Sequence, residues 1–165
     1  MKKFLRWCAF AGRGVAALEF ALTLPILMYF MGGVTDFGIV YYRQSCLSTA
    51  VAAGAEYASL TDQRSPPVTA ANVQTVMQNA ATQTMPNVTT TPTVVGPACY
   101  CITGSSPSST MGTTSVTCGS TCATGGTAQK YVQLTLTTTY TPILPLLSRV
   151  IGTQTLTKTA WVPLQ

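Results

Sequence analysis

Phe20 to Thr35 reads FALTLPILMYFMGGVT, sixteen consecutive residues without a charge, and Asp36 then separates it from a second apolar run, FGIVYY at Phe37 to Tyr42. A helix crossing the hydrocarbon core of a bilayer needs about 20 mostly apolar residues. The stretch reaches that length if Asp36 lies near one interface or inside a helix bundle. Trp7 on one side, and Tyr41 and Tyr42 on the other, occupy the places of interfacial aromatic anchors. Four of the nine basic residues (Lys2, Lys3, Arg6 and Arg13) precede the stretch. That bias predicts a cytoplasmic N-terminus, with everything beyond Arg43 exported.

Working outward, the composition agrees with a membrane protein. Only 8% of the 165 residues are charged and 47% are hydrophobic, far from the usual quarter of charged residues in a soluble domain. The net charge of +5 is concentrated at the N-terminus, and the remaining basic residues are scattered. A nucleic-acid surface needs a basic stripe on the folded domain, so no nucleic-acid partner is expected. Histidine is absent and the acids are Glu19, Asp36, Glu56 and Asp62. The commonest general base and metal ligand are therefore missing. The reading is of a non-enzyme with no cofactor and no metal. Glu19 and Asp36, seventeen residues apart on one helix, would be separated by about 25 Å of rise, too far to share a proton. Asp36-Phe37-Gly38 also spells a kinase metal-binding triplet, but none of the other kinase motifs accompanies it.

A cleaved secretory signal peptide is the competing reading of the N-terminal third. Its apolar core usually runs about 7–15 residues, and the small residues AVAAGA (Ala50 to Ala55) offer cleavage sites. They lie well beyond the apolar run, however, and Glu19 sits at the cytoplasmic edge of it.

The segment RGVAALEFALTLP (Arg13 to Pro25) resembles the type IV pilin processing motif. A basic leader is followed by Gly14, four residues, Glu19 and the aromatic Phe20. The longer stretch Gly14 to Ala58 resembles the TadE-like family of the tight-adherence (Flp) pilus system, through the helix-borne Pro25, the Asp36-Phe37-Gly38 step and the small-residue run ending near Glu56-Tyr57-Ala58. The resemblance implies a minor pilin or pseudopilin in the bacterial inner membrane, cut between Gly14 and Val15 by a prepilin peptidase. Its partners would be other pilin-like subunits, the pilus assembly machinery and the lipid bilayer, and its task pilus assembly, surface attachment and biofilm formation. Glu19 would pair with the N-terminal amine of a neighbouring subunit, and Phe20, Pro25 and Asp36 are the further assembly candidates. A carboxylate beside lipid is costly unless paired, which makes a partner in trans physically reasonable. The alternative function is an uncleaved, membrane-anchored envelope protein whose exported domain binds a partner.

After the membrane stretch, SCLSTAVAAGAEYAS (Ser45 to Ser59) continues the helix as a run of small residues. It packs either against neighbouring subunits or against its own domain. Ser65-Pro66-Pro67 ends it. Thr69 to Gln83 then reads as a short helix with Thr69 as N-cap and a stripe of Val73, Val76, Met77 and Ala80. Beyond Asn87 the Thr-, Ser-, Gly- and Val-rich composition favours strands and loops. Lys130 to Thr141 alternates with a period of two, burying Val132, Leu134, Leu136 and Tyr140. Pro142 to Leu147 turns away from that strand, and Thr153 to Val162 returns as another. Trp161 either caps the core or packs on the helix.

Thr103 to Thr127 is low-complexity, with nineteen of twenty-five residues Ser, Thr or Gly. Cys99, Cys101, Cys118 and Cys122 explain how so long a loop is held. A zinc site would want tighter spacing or histidine; two disulfides are the expectation outside the cytoplasm, in one of three pairings. Cys8 falls in the leader. Cys46 is the odd exported cysteine, either buried as a small apolar residue, the favoured reading, or paired between subunits.

The expected fold is therefore α+β: a long, pilin-like N-terminal transmembrane helix packed on a small, disulfide-stapled antiparallel sheet domain. The expected divisions are a leader at 1–14, the transmembrane and rod helix at 15–60, and an exported α+β domain at 61–165.

Overall fold

A computed structural model describes residues 2–62, 67–103, 110–112, 114–123 and 125–164, with the side chains of 2–14, 103, 110, 111 and 146 excepted. In chain order the elements are α1 (Lys2–Asp62), α2 (Ala70–Thr84), β1 (Thr90–Tyr100), β2 (Ile102–Thr103), β3 (Thr110–Met111), β4 (Gln129–Tyr140), α3 (Pro145–Ile151) and β5 (Gln154–Pro163). The fold is α+β, as expected. Contacts divide the chain into two compact units. One comprises Met1–Val40 with Thr141–Thr153, the other Tyr41–Tyr140 with Gln154–Gln165.

The second unit is built on a three-stranded antiparallel sheet of order β1-β4-β5. The central strand β4 alternates as its sequence requires: Val132, Leu134, Leu136, Thr138 and Tyr140 are buried. The intervening residues form a polar face, on which the Thr135 and Thr159 hydroxyls meet at 3.2 Å. Strand β1 was legible only as composition, because Pro92 and Pro97 and Gly96 interrupt its pattern. It is an edge strand, where a missing N–H is tolerated. Its pairing with β4 shifts register between Val95 and Ala98, around a cis Gly96–Pro97 peptide. Gly96 has φ +100°, and a Cβ there would lie 2.9 Å from the Tyr131 carbonyl oxygen, so no other residue fits this bulge.

Helix α2 begins as expected, with the Thr69 hydroxyl accepting from the Asn72 N–H at 3.4 Å. Its buried stripe is Val73, Met77 and Ala81. Val76 and Ala80 of the expected stripe are half-buried, a rotation of the inward face by one position. From Tyr41 onward, α1 buries Cys46, Leu47, Ala50, Val51, Gly54 and Ala58 along one side. Of the two readings of the small-residue run, packing on its own domain accounts for this side. A Cβ on Gly54 would collide with the Met77 side chain and touch Leu134 Cδ1 at 3.6 Å, so glycine here lets α2 and β4 close on α1. The core residues Leu47, Val73, Met77, Val132, Leu134 and Leu136 are all fully buried. Asp62, the last residue of α1, pairs with Lys130 at 2.6 Å. Of the expected terminator, Ser65 and Pro66 lie outside the described residues.

The first unit contains the N-terminal part of α1, with Pro25 inside it, and the connection between β4 and β5. That connection is more than the turn the sequence suggested. It carries α3, with Pro145 in its first turn and Gly152 as C-cap at φ +68°.

Candidate functional site

Between Val15 and Val34, α1 is apolar on all sides and exposed on nearly all of them. Leu22, Ile26, Leu27, Phe30 and Met31 are each more than half exposed, and Phe37 is 81% exposed. Leaving such side chains in water forfeits about 1.5–3 kcal/mol each. A helix that is apolar all round belongs in a core or a membrane, and no described residue of this unit covers these side chains. Residues Val15–Asp62 form the helix that is long and apolar enough to span a bilayer. Its polar groups are arranged for that setting. The Thr23 hydroxyl donates to the Glu19 carbonyl at 3.0 Å, and the Thr35 hydroxyl to the Met31 carbonyl at 2.9 Å, so neither needs water. Pro25 removes the N–H that would reach the Ala21 carbonyl.

The expected site residues fall into two groups. Gly14 and Val15 lie in successive positions of α1, with Val15 exposed. Glu19 and Phe20 follow, also exposed, and the Glu19 carboxylate has no partner among the described residues. Asp36 is different. It is 5% exposed, and its carboxylate accepts from two backbone donors of the β4–β5 connection. The Ile143 N–H reaches Oδ1 at 2.9 Å and the Leu144 N–H reaches Oδ2 at 3.4 Å. Charge-assisted bonds of this kind are about twice as strong as neutral ones. One turn below, Gly32 makes room for Leu144. A Cβ on Gly32 would lie 2.7 Å from both Leu144 Cδ atoms. Sequence reasoning singled out Asp36 but missed Gly32. The signal lay in the sequence as a glycine four residues before the acid, on the same helix face.

In the other unit the four loop cysteines are paired as Cys99–Cys118 and Cys101–Cys122, with Cα–Cα distances of 5.1 and 5.7 Å. This is the expected pair of disulfides, with the pairing now fixed among the three possibilities, and the sulfurs are committed to one another. Cys99 and Cys122 are buried with Ala128. Short bridges, Cys99 to Val116 and Thr121 to Thr127, organise the loop between them. Cys46 is a buried free thiol, in agreement with the favoured reading. Trp161 packs edge-on against Tyr100 with ring centroids 5.3 Å apart, so it closes the sheet end of the core. Two further contacts went unseen in the sequence. The Arg43 guanidinium donates to the Thr139 carbonyl at 2.9 Å and lies 4.9 Å over the Tyr140 ring.

With this arrangement in view, comparison with known families is decisive for one segment. Residues 14–56 match the family of TadE-like proteins. The match covers roughly a quarter of the 165-residue chain, agrees with the resemblance read from Gly14 to Ala58, and points to the tight-adherence pilus system. No curated protein and no solved structure matches the chain. The TadE-like segment contains every large exposed apolar residue of α1 from Val15 to Tyr42, together with Glu19, Gly32, Asp36 and Gly54. It therefore holds both the side chains that lack cover and the two glycines that admit close neighbours.

Proposed function

We propose that this chain is a pilin-like subunit of the bacterial inner membrane that takes part in assembling the tight-adherence pilus, and through it in surface attachment. Its role is structural and not enzymatic. The N-terminus is cytoplasmic, α1 from Val15 spans the bilayer, and the disulfide-bonded domain is exported. The observation that carries this reading is the uncovered apolar surface of α1 within the segment matched to the TadE-like family. Lipid covers that surface before assembly and neighbouring pilin-like subunits cover it afterwards.

Cleavage by the prepilin peptidase after Gly14 would make Val15 the new N-terminus, with Glu19 five residues into the mature chain. A carboxylate in this position, exposed and without a partner among the described residues, suits pairing with the amine of a neighbouring subunit. The test is the N-terminal sequence of the protein recovered from its host's membranes, together with piliation after deletion of the gene. A start at Val15 and loss of pili are expected. A start at Met1 with unchanged piliation and adherence would replace this reading with the uncleaved envelope anchor.

A further inference from the structure

The β4–β5 connection, Thr141–Thr153, carries its own apolar surface. Its sequence is TPILPLLSRVIGT, with six aliphatic side chains and a single charge, Arg149. Leu144 is used against Gly32, but Ile143 is 68% and Val150 79% exposed. Short connections on a soluble domain do not ordinarily present bulky aliphatics on both flanks of one turn.

The backbone of the turn entering α3 has its N–H groups bonded within the protein. Across Pro142-Ile143-Leu144-Pro145 two residues have no N–H at all, and the two N–H groups that exist both bond to Asp36. The Ser148 N–H returns to the Leu144 carbonyl at 2.9 Å, and the Ser148 hydroxyl donates to the Pro145 carbonyl at 2.9 Å. Unpaired backbone groups cost several kcal/mol in hydrocarbon, and the turn entering α3 leaves neither of its N–H groups unpaired.

Position along α1 supplies the depth. Asp36 lies 21 residues after Val15, a rise of about 31 Å, which matches the thickness of a bilayer's hydrocarbon core, about 30 Å. With Val15 at the inner edge, Asp36 and the segment it holds stand at the outer edge.

We infer that Thr141–Thr153 is a second membrane element, an interfacial foot that lays Ile143 and Val150 into the outer boundary of the bilayer with Arg149 at headgroup level. Its occupant is the lipid surface, because the exposed aliphatics adjoin the apolar surface of α1 in the same compact unit. The foot gives the exported domain two points of attachment, the spanning helix and the lipid-seated turn. Interfacial amphipathic helices bind bilayers by the same combination of buried apolar area and basic residues at the headgroups. The inference rests on the membrane-spanning reading of α1.

The experiment uses the full chain in phosphatidylcholine–phosphatidylglycerol vesicles whose acyl chains carry bromine, a short-range tryptophan quencher. Val150→Trp and Ile143→Trp are each compared with the unsubstituted chain, with Phe30→Trp as the spanning control and Leu60→Trp as the exported control. Free-thiol counting on each variant checks that both disulfides have formed. Both foot variants should lose fluorescence, more strongly with bromine near the headgroup end of the chains than near the methyl end. Phe30→Trp should be quenched and Leu60→Trp unaffected. Quenching of Phe30→Trp with none at Val150 or Ile143 would overturn the foot and leave the span standing. If Phe30→Trp also escapes quenching, the span fails and the foot falls with it. Shielding at Val150 that grows with the protein-to-lipid ratio and ignores bromine would overturn the lipid assignment in favour of a second copy of the chain.

Discussion

Helix α1 meets its surroundings in two ways, and the difference lies in side-chain size. From Val15 to Val40 its apolar residues are mostly large and distributed around the whole circumference, and most are exposed. From Tyr41 the buried apolar residues are mostly small and lie along one side, where Leu47, Ala50, Val51, Gly54 and Ala58 are buried and Gly54 meets Met77 of α2 and Leu134 of β4. A narrow stripe of small residues is enough for a sheet and a helix to close over. An apolar circumference cannot be covered from one side, and needs a solvent that is itself apolar. The sharpest way to break this comparison is to truncate one leucine in each half. Leu47→Ala should lower the stability of the sheet domain by about 2–5 kcal/mol, read as a fall in its denaturation midpoint. Leu27→Ala should leave that midpoint where it is. The converse substitution, Leu27→Arg, should cost membrane insertion about 2.5–3.5 kcal/mol, seen as release on alkaline extraction. Equal destabilisation of the sheet domain by Leu27→Ala and Leu47→Ala would erase the distinction.

The disulfides belong to the covered half of this contrast. Each closes a loop of 19 or 21 residues in a Ser-, Thr- and Gly-rich stretch, and such closure contributes about 3 kcal/mol. Replacing Cys101 and Cys122 together with alanine should therefore cost the sheet domain about that amount, without altering the fraction of protein retained in membranes. A loss of membrane retention matching the loss of stability would mean that the two properties are not separate.

Asp36 stands in the uncovered half, yet it is buried by the chain itself. Asp36→Ala strands the N–H groups of Ile143 and Leu144, at about 1–3 kcal/mol for each buried donor left unpaired. Their amide exchange should accelerate, while amides of β4 around Leu134 stay protected. Asp36→Asn keeps one acceptor oxygen and should fall between the two. Unchanged exchange at 143 and 144 in Asp36→Ala would show that the carboxylate does not hold the turn.

Much of this was legible beforehand, for identifiable reasons. The apolar stretch of α1 and β4 carry simple patterns, uniform apolarity in one and strict alternation in the other, and each pattern tells directly which faces are apolar. Thr69 announced α2 because a hydroxyl before an apolar stripe has a specific donor to satisfy. Four cysteines around a loop expected to be exported implied two bridges, but their pairing depends on which strands lie opposite, and β1 was hidden by Pro92, Gly96 and Pro97. Helix α3 was concealed in the same way. Two prolines three residues apart read as a turn, although the second is well suited to the first turn of a helix. The role of Asp36 was hardest to see, since its partners are backbone groups 107 and 108 residues away, which no local pattern encodes. The processing site at Gly14 and the pairing of Glu19 rest on resemblance, and await the N-terminal sequence and assembly experiments.

The smallest expected effect separates two uses of threonine. Thr69 accepts from the Asn72 N–H, satisfying one of the donors that every helix start leaves open. Its helix presents Met77 to Gly54 of α1, so the cap supports the cover over the second half of α1. Thr35, in the first half, bonds back to the Met31 carbonyl of its own helix, a group already used by the helix ladder. Thr69→Ala should cost about 1 kcal/mol, with faster exchange confined to the first turn of α2. Thr35→Ala removes a bond that competes with the ladder and does not complete it, so neither membrane retention nor domain stability should change measurably. A cost at Thr35 equal to that at Thr69 would mean that Thr35 has a partner beyond its own helix. The uncovered half of α1 would then have protein cover of its own, and the contrast between the two halves would have to be redrawn around that residue.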